Sequence, residues 1–191
     1  MRIIRFNVKN DFGGRKLKNT KNLVLAGLFL ALAFILPFFT GQIPQIGSMI
    51  SPMHIPVFIC GLVCGPFYGL IVGFVAPILR SVMLGMPPLF PVAIAMAFEL
   101  ATYGLIAGFV YLRLSKNPVS VYIALITAML VGRIIWGIAM YILLGIVGNQ
   151  FTMQAFLAGA FLNAGIAIVL HLIIVPPVVL MIEKVGFGLH E

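Results

Sequence analysis

Six apolar runs fill most of the chain, separated by short polar or glycine- and proline-rich breaks. They cover 20–39, a short stretch 53–65, then 67–84, 91–113, 119–147 and 154–183. At ~1.5 Å of rise per residue, about 20 apolar residues cross a bilayer core, so the runs predict transmembrane helices. The breaks are chemically distinct. TGQIPQIGSMISP (40–52) is an uncharged polar loop, and Gly65-Pro66 separates the second run from the third. GMPPLFP (85–91) cannot be helical throughout, because proline lacks the amide donor and restricts the residue before it. SKNP (115–118) is a polar turn with Pro118 placed to start a helix. GNQFT (148–152) is again uncharged, and Pro176-Pro177 predicts a bend in the last run.

Composition makes the membrane assignment firm. The chain has 191 residues, 62% hydrophobic and 8% charged, with a mean hydropathy of +1.19. Soluble domains carry about 25% charged residues, so this chain cannot coat a globule with polar surface. The expected fold is an all-α integral membrane protein, one compact bundle of about six helices. A basic segment (1–19) precedes it, and 20–191 forms the six-helix transmembrane domain.

Charge position then sets the expected topology. Of twelve basic residues, seven lie in the first 21 positions: Arg2, Arg5, Lys9, Arg15, Lys16, Lys18 and Lys21. Arg113, Lys116 and Lys184 fall in breaks on the same side, whereas 40–52, 85–91 and 148–153 contain no Lys or Arg. The positive-inside rule therefore puts both termini in the cytoplasm of a multi-pass plasma-membrane protein. Nucleic-acid binding is excluded, since no basic surface continues beyond the N-terminal segment. Contact with anionic lipid headgroups follows from the same charge. The apolar stretch 22–39 is long for a signal peptide and is expected to stay attached.

Against this background three charged residues stand out at membrane depth: Arg80, Glu99 and Arg133. Such groups are costly unless paired or hydrated, and they mark candidate sites. Counting from the uncharged breaks, Glu99 lies about 12 Å down, Arg133 about 21 Å and Asn163 about 14 Å, with several ångströms of upward reach for the arginine. Glu99 is expected to pair with Arg133, or alternatively with Arg80. The pair is either a brace between two helices or part of a pocket open to the outside. Two arginines against one glutamate leave a formal +1, which suits a ligand with one anionic group. Trp136, three residues from Arg133, and Tyr103, four from Glu99, share faces with them. Trp136 is expected to form a cation–π pair and a pocket wall, and Tyr141 to anchor at the interface. His54, between prolines in SPMHIP, either closes over a ligand or sits at the interface. His171 is expected to bond a carbonyl freed by the Pro176-Pro177 bend.

Other features are read as packing. Cys60 and Cys64 share a helix face without further ligands nearby, so neither a metal site nor a redox motif is expected. Gly61, Gly65, Gly69 and Gly73 repeat every four residues, a pattern that permits close helix approach, within the bundle or against another subunit. No phosphate-binding loop, H-E-x-x-H motif or activated nucleophile is present, so neither an enzyme nor a cofactor is expected. Inverted halves are not visible either, which disfavours a self-sufficient secondary transporter.

SPMHIPVFICGLVCGPFYGLIVGFVAPILRSVMLGMPP, with the six runs, the basic N-terminus and the length, resembles the substrate-binding S components of energy-coupling factor (ECF) transporters. The resemblance spans nearly everything past residue 20. It implies capture of a vitamin on the outer side, with the loop after the first helix as a lid. It also implies docking on a transmembrane coupling subunit, with two ATP-binding subunits driving toppling of the S component in the bilayer. The family docks through a small-x-x-x-small face on its first helix, which maps here to Gly27 and Ala31 in AGLFLALA. Among the family's vitamins, the formal charge disfavours thiamine. Pantothenate comes first, with Arg133 on its carboxylate and Asn163 and Glu99 on its amide and hydroxyls; riboflavin is second and folate third. A stand-alone carrier and a structural membrane protein remain as competing classes.

Overall fold

The structure, a computed structural model, describes residues 8–40, 50–115, 117–162 and 164–186. Among the described residues there are seven α-helices: α1 (Val8–Ile35), α2 (His54–Cys64), α3 (Pro66–Leu84), α4 (Ile94–Arg113), α5 (Pro118–Ile146), α6 (Met153–Leu157) and α7 (Gly165–Lys184). A 3-10 turn, Leu36–Thr40, extends α1, and π-helical turns occupy Leu89–Ala93 and Ala158–Leu162. No strand occurs among the described residues. Among the described residues five spans are long and apolar enough to cross a membrane, and α2 is a shorter apolar helix beside them. The protein is an all-helical integral membrane bundle.

Most helix ends follow from local chemistry. Gly65 takes φ 111°, which a side chain would resist, and Pro66 opens α3 at once. Gly85, at φ 71°, caps α3 in the left-handed region and returns its N–H to the Ser81 carbonyl. Pro118 begins α5 after an extended Asn117. Within 85–91 the chain leaves the helix as expected, and Phe90 is extended at ψ 134°.

Two boundaries differ from the sequence expectation. The first helix does not start at 20 but runs back to Val8, through part of the basic segment. Lysine and arginine are good helix formers, so charge alone does not stop a helix. The last span, expected as one helix over 154–183, is divided at the π-helical turn Ala158–Leu162 into α6 and α7, with Pro176 and Pro177 inside α7.

Packing is organised around α2. All eleven of its residues are buried, and α1, α3, α4 and α7 surround it. The glycine ladder explains how α2 and α3 meet α4. A Cβ on Gly61 would lie 2.3 Å from the Gly104 carbonyl oxygen, and one on Gly73 would lie 2.3 Å from that of Leu100. Gly69 faces both Gly61 and Gly104 at under 3 Å. Backbones touch here, so Gly61, Gly69 and Gly73 pack within the bundle and do not form a surface for another subunit. Gly104 and Gly108 on α4 complete the contact from the other side, with Gly108 against Gly61 and Pro66. Outward faces carry Val24, Ile71, Ile134, Ile138 and Ile173, all more than half exposed, as lipid contact requires.

The two ends of the bundle differ. At one, Lys21 donates to the Gly186 carbonyl, Asn22 Nδ2 to the Cys64 carbonyl (3.2 Å) and the Tyr111 hydroxyl to Glu183 (2.9 Å). Arg113 and Lys184 close the helices at this basic end. At the other end α1 and α3 finish side by side, joined by Arg80 Nη1 donating to the Phe34 carbonyl at 2.8 Å.

Candidate functional site

Glu99 sits on the face of α4 that meets α5, buried to 2% exposure. Arg133 of α5 places Nη1 3.0 Å from its Oε1. Tyr103, one turn along α4, donates its hydroxyl to the same oxygen at 2.6 Å. Gly132 makes this possible: a Cβ there would lie 2.3 Å from the Tyr103 ring, so the ring lies flat against bare α5 backbone. The expected partner of Glu99 is therefore the one found, and a charge-assisted hydrogen bond reinforces it. The Nε of Arg133 is buried without a hydrogen-bond partner among the described residues.

Aromatic and imidazole rings extend this cluster across the bundle. Tyr103 stacks on Phe58 of α2 at 4.8 Å and meets His54 at 5.5 Å between centroids. His54 is 4% exposed, inside the bundle and not at an interface. It stacks on His171 of α7 at 5.7 Å and 21°. His171 does not serve the proline bend: its Nε2 lies 3.3 Å from the Ser51 carbonyl, which also accepts the His54 backbone N–H at 3.1 Å. The Nδ1 of His54 is a second buried atom without a hydrogen-bond partner among the described residues. The cluster thus draws on α2, α4, α5 and α7, a set of polar groups walled by Phe58 and Tyr103.

Other candidates are placed differently. Arg80 does not reach Glu99. It caps the exposed carbonyl end of α1 at Phe34, where a helix terminus favours a cation, and lies 5.0 Å over the Phe38 ring. The formal +1 expected from two arginines and one glutamate is consequently not assembled around Glu99; the Glu99–Arg133 pair is neutral. Trp136 stacks on Phe156 (6.4 Å) and meets Phe151 edge-on (5.9 Å), with its ring over Gly159. The cation–π contact with Arg133 does not form among the described residues, because α6 and the turn after it offer the indole a flatter apolar seat. Asn163 lies outside the described residues. Gly27 and Ala31 are exposed on α1, and nothing lies within 4 Å of a Cβ built at Gly27.

A cavity of about 620 Å³ lies beyond this cluster, at the end of α5, lined by Tyr141, Ile142, Gly145, Ile146, Asn149, Gln150, Phe151 and Thr152. Tyr141, Ile142 and Ile146 are more than half exposed, so it is an open groove at the bundle's edge and not an enclosed site. Among the described residues no group of three His, Cys, Asp or Glu side chains gathers as metal ligands. Sequence reasoning missed His171 and Phe58 as cluster members. The first had a signal, a histidine within a membrane span, but was assigned to the nearby prolines; the second had none, being one phenylalanine among sixteen.

No curated protein and no solved structure matches the chain significantly. A family model described as "ECF transporter, substrate-specific component" matches residues 21–179. That match covers all the described spans almost to the end of α7, including the buried polar cluster and the open face of α1. The chain belongs to the substrate-specific components of ECF transporters, membrane subunits that bind a small substrate and work with a coupling subunit and ATPases.

Proposed function

We propose that this S component captures a small carboxylate-bearing vitamin, pantothenate in preference, from the side opposite its basic end. The observation that supports this most is at Arg133. One Nη is committed to Glu99, yet Nε is buried without a partner among the described residues. A guanidinium offers five donors in a fixed fork, and a ligand carboxylate is the acceptor that uses it best. Glu99, Tyr103 and His54 then face the amide and hydroxyls of the ligand, and Asn163 keeps its candidacy from sequence position alone. Trp136 borders the site through the segment that it packs against. Arg80, tied to α1, acts at the rim.

A second reading rests on the neutrality of the Glu99–Arg133 pair. With Arg80 engaged elsewhere, a neutral vitamin such as riboflavin fits the same cluster, and the stacked rings of Phe58 and Tyr103 suit a flat ligand. Folate stands third. Delivery follows the family's pattern: Gly27 and Ala31 dock on the coupling subunit, two ATP-binding subunits power the cycle, and both termini are cytoplasmic. The N-terminal charge and the basic end support that orientation.

The test uses the single tryptophan. Purified protein in detergent is titrated with pantothenate, riboflavin, folate and thiamine while Trp136 fluorescence is followed. Saturable quenching by pantothenate at low concentration is expected. Saturation by riboflavin alone replaces the first reading with the second, and saturation by thiamine overturns both.

A further inference from the structure

His171 is a buried polar residue of the cluster that the proposed vitamin contacts leave unused. It comes from α7, 120 residues from Ser51 in sequence, and crosses the bundle to the turn that starts α2. Ser51 holds φ 47°, a left-handed conformation that residues other than glycine adopt at a cost. Its carbonyl receives the His54 amide and lies within reach of His171 Nε2. The His171 ring also lies nearly parallel to that of His54 and against Phe58 at 5.5 Å. His171 is 2% exposed. One side chain thus grips both the backbone turn before His54 and the imidazole of His54 itself.

We infer that His171 is a positioning residue of the binding site: it holds the first turn of α2 so that His54 presents Nδ1 to a hydroxyl group of the ligand. This rests on the buried cluster being the vitamin site. A hydroxyl is named because it both donates and accepts, and so satisfies Nδ1 in either imidazole tautomer. The Tyr103 and His171 rings lie against the imidazole at 5.5 and 5.7 Å between centroids, which limits how the ring can turn.

The experiment separates the donor from the ring. His171→Phe keeps an aromatic ring and loses the donor; His171→Gln keeps a donor at the place of Nε2 and loses the ring. Amide hydrogen exchange of residues 50–56 is measured in detergent without ligand, with the Gly104 region as internal control. His171→Phe should speed exchange in 50–56 at least tenfold while leaving the control unchanged, and His171→Gln should restore slow exchange. In parallel, affinity is measured for pantothenate and for riboflavin. For whichever binds the unaltered protein, His171→Phe should weaken binding at least fivefold through faster dissociation, with most of the loss recovered in His171→Gln. Unchanged exchange in His171→Phe overturns the inference, as does a uniform rise across the bundle in both variants, which marks a general brace. If neither vitamin binds the unaltered protein, the proposed substrate is wrong, and the exchange result alone decides the role of His171.

Discussion

At the scale of single residues, the central question is whether the Glu99–Arg133 pair braces two helices or serves a ligand. Buried pairs are weak evidence of either, since their attraction largely offsets the cost of desolvation. Removing one partner is different, because it strands a buried charge, at a cost of about 3–5 kcal/mol. We therefore expect Arg133→Met to lower the melting temperature in detergent and to weaken vitamin binding by more than about tenfold, or ~1.4 kcal/mol. Combining it with Glu99→Leu should restore the melting temperature and leave binding lost. A double variant that binds normally would reduce the pair to a brace. At the opposite end, Tyr111 meets both carboxylate oxygens of Glu183 at 2.9 Å. Tyr111→Phe should cost about 1.5–3 kcal/mol, the range for a hydrogen bond to a charged group, read as a lower melting temperature with vitamin affinity unchanged.

At the scale of elements, the decisive contact is backbone on backbone. Gly61, Gly69 and Gly73 bring α2 and α3 onto α4 at Leu100, Gly104 and Gly108, with no space for a Cβ. Close approach of this kind is how membrane helices gain packing without a hydrophobic drive between them. Gly104→Val should therefore prevent recovery of monodisperse protein, whereas Gly27→Val, with open space around it, should leave yield and melting temperature unchanged. Equal behaviour of the two variants in size-exclusion chromatography would contradict this account. The ladder on α2 and α3 was legible from its four-residue spacing. Its partner surface was not, because Gly104 and Gly108 make only a single G-x-x-x-G, and spacing does not say which helix faces which.

At the scale of the whole molecule, a buried polar cluster and an exposed small-residue face on α1 are separate features of one bundle. Binding and docking should then be separable. Gly27→Leu with Ala31→Leu is expected to abolish uptake in cells that carry the coupling subunit and ATPases, while ligand binding by the purified subunit stays within about twofold. Normal uptake by that variant, with the protein in the membrane, would move the docking surface elsewhere.

Hydropathy by itself determined the helical membrane bundle, because apolar runs of this length satisfy their own backbone groups in lipid as helices, giving five long spans and the short α2 among the described residues. The short second helix and the breaks at Gly65-Pro66 and Gly85 were equally local, being set by φ and by the missing proline donor. That Glu99 pairs with an arginine was readable too, because an isolated acid at membrane depth demands a cation and few were available. Tertiary structure alone decided between the arginines: Arg80 was captured by the carbonyl end of α1, which no periodicity encodes. It also decided that Trp136 turns to Phe156 and away from Arg133, and that His171 serves Ser51 and His54 and not the prolines beside it. Those choices depend on which helices become neighbours, and a side chain's nearest partner across a bundle is fixed by packing and not by its distance along the chain.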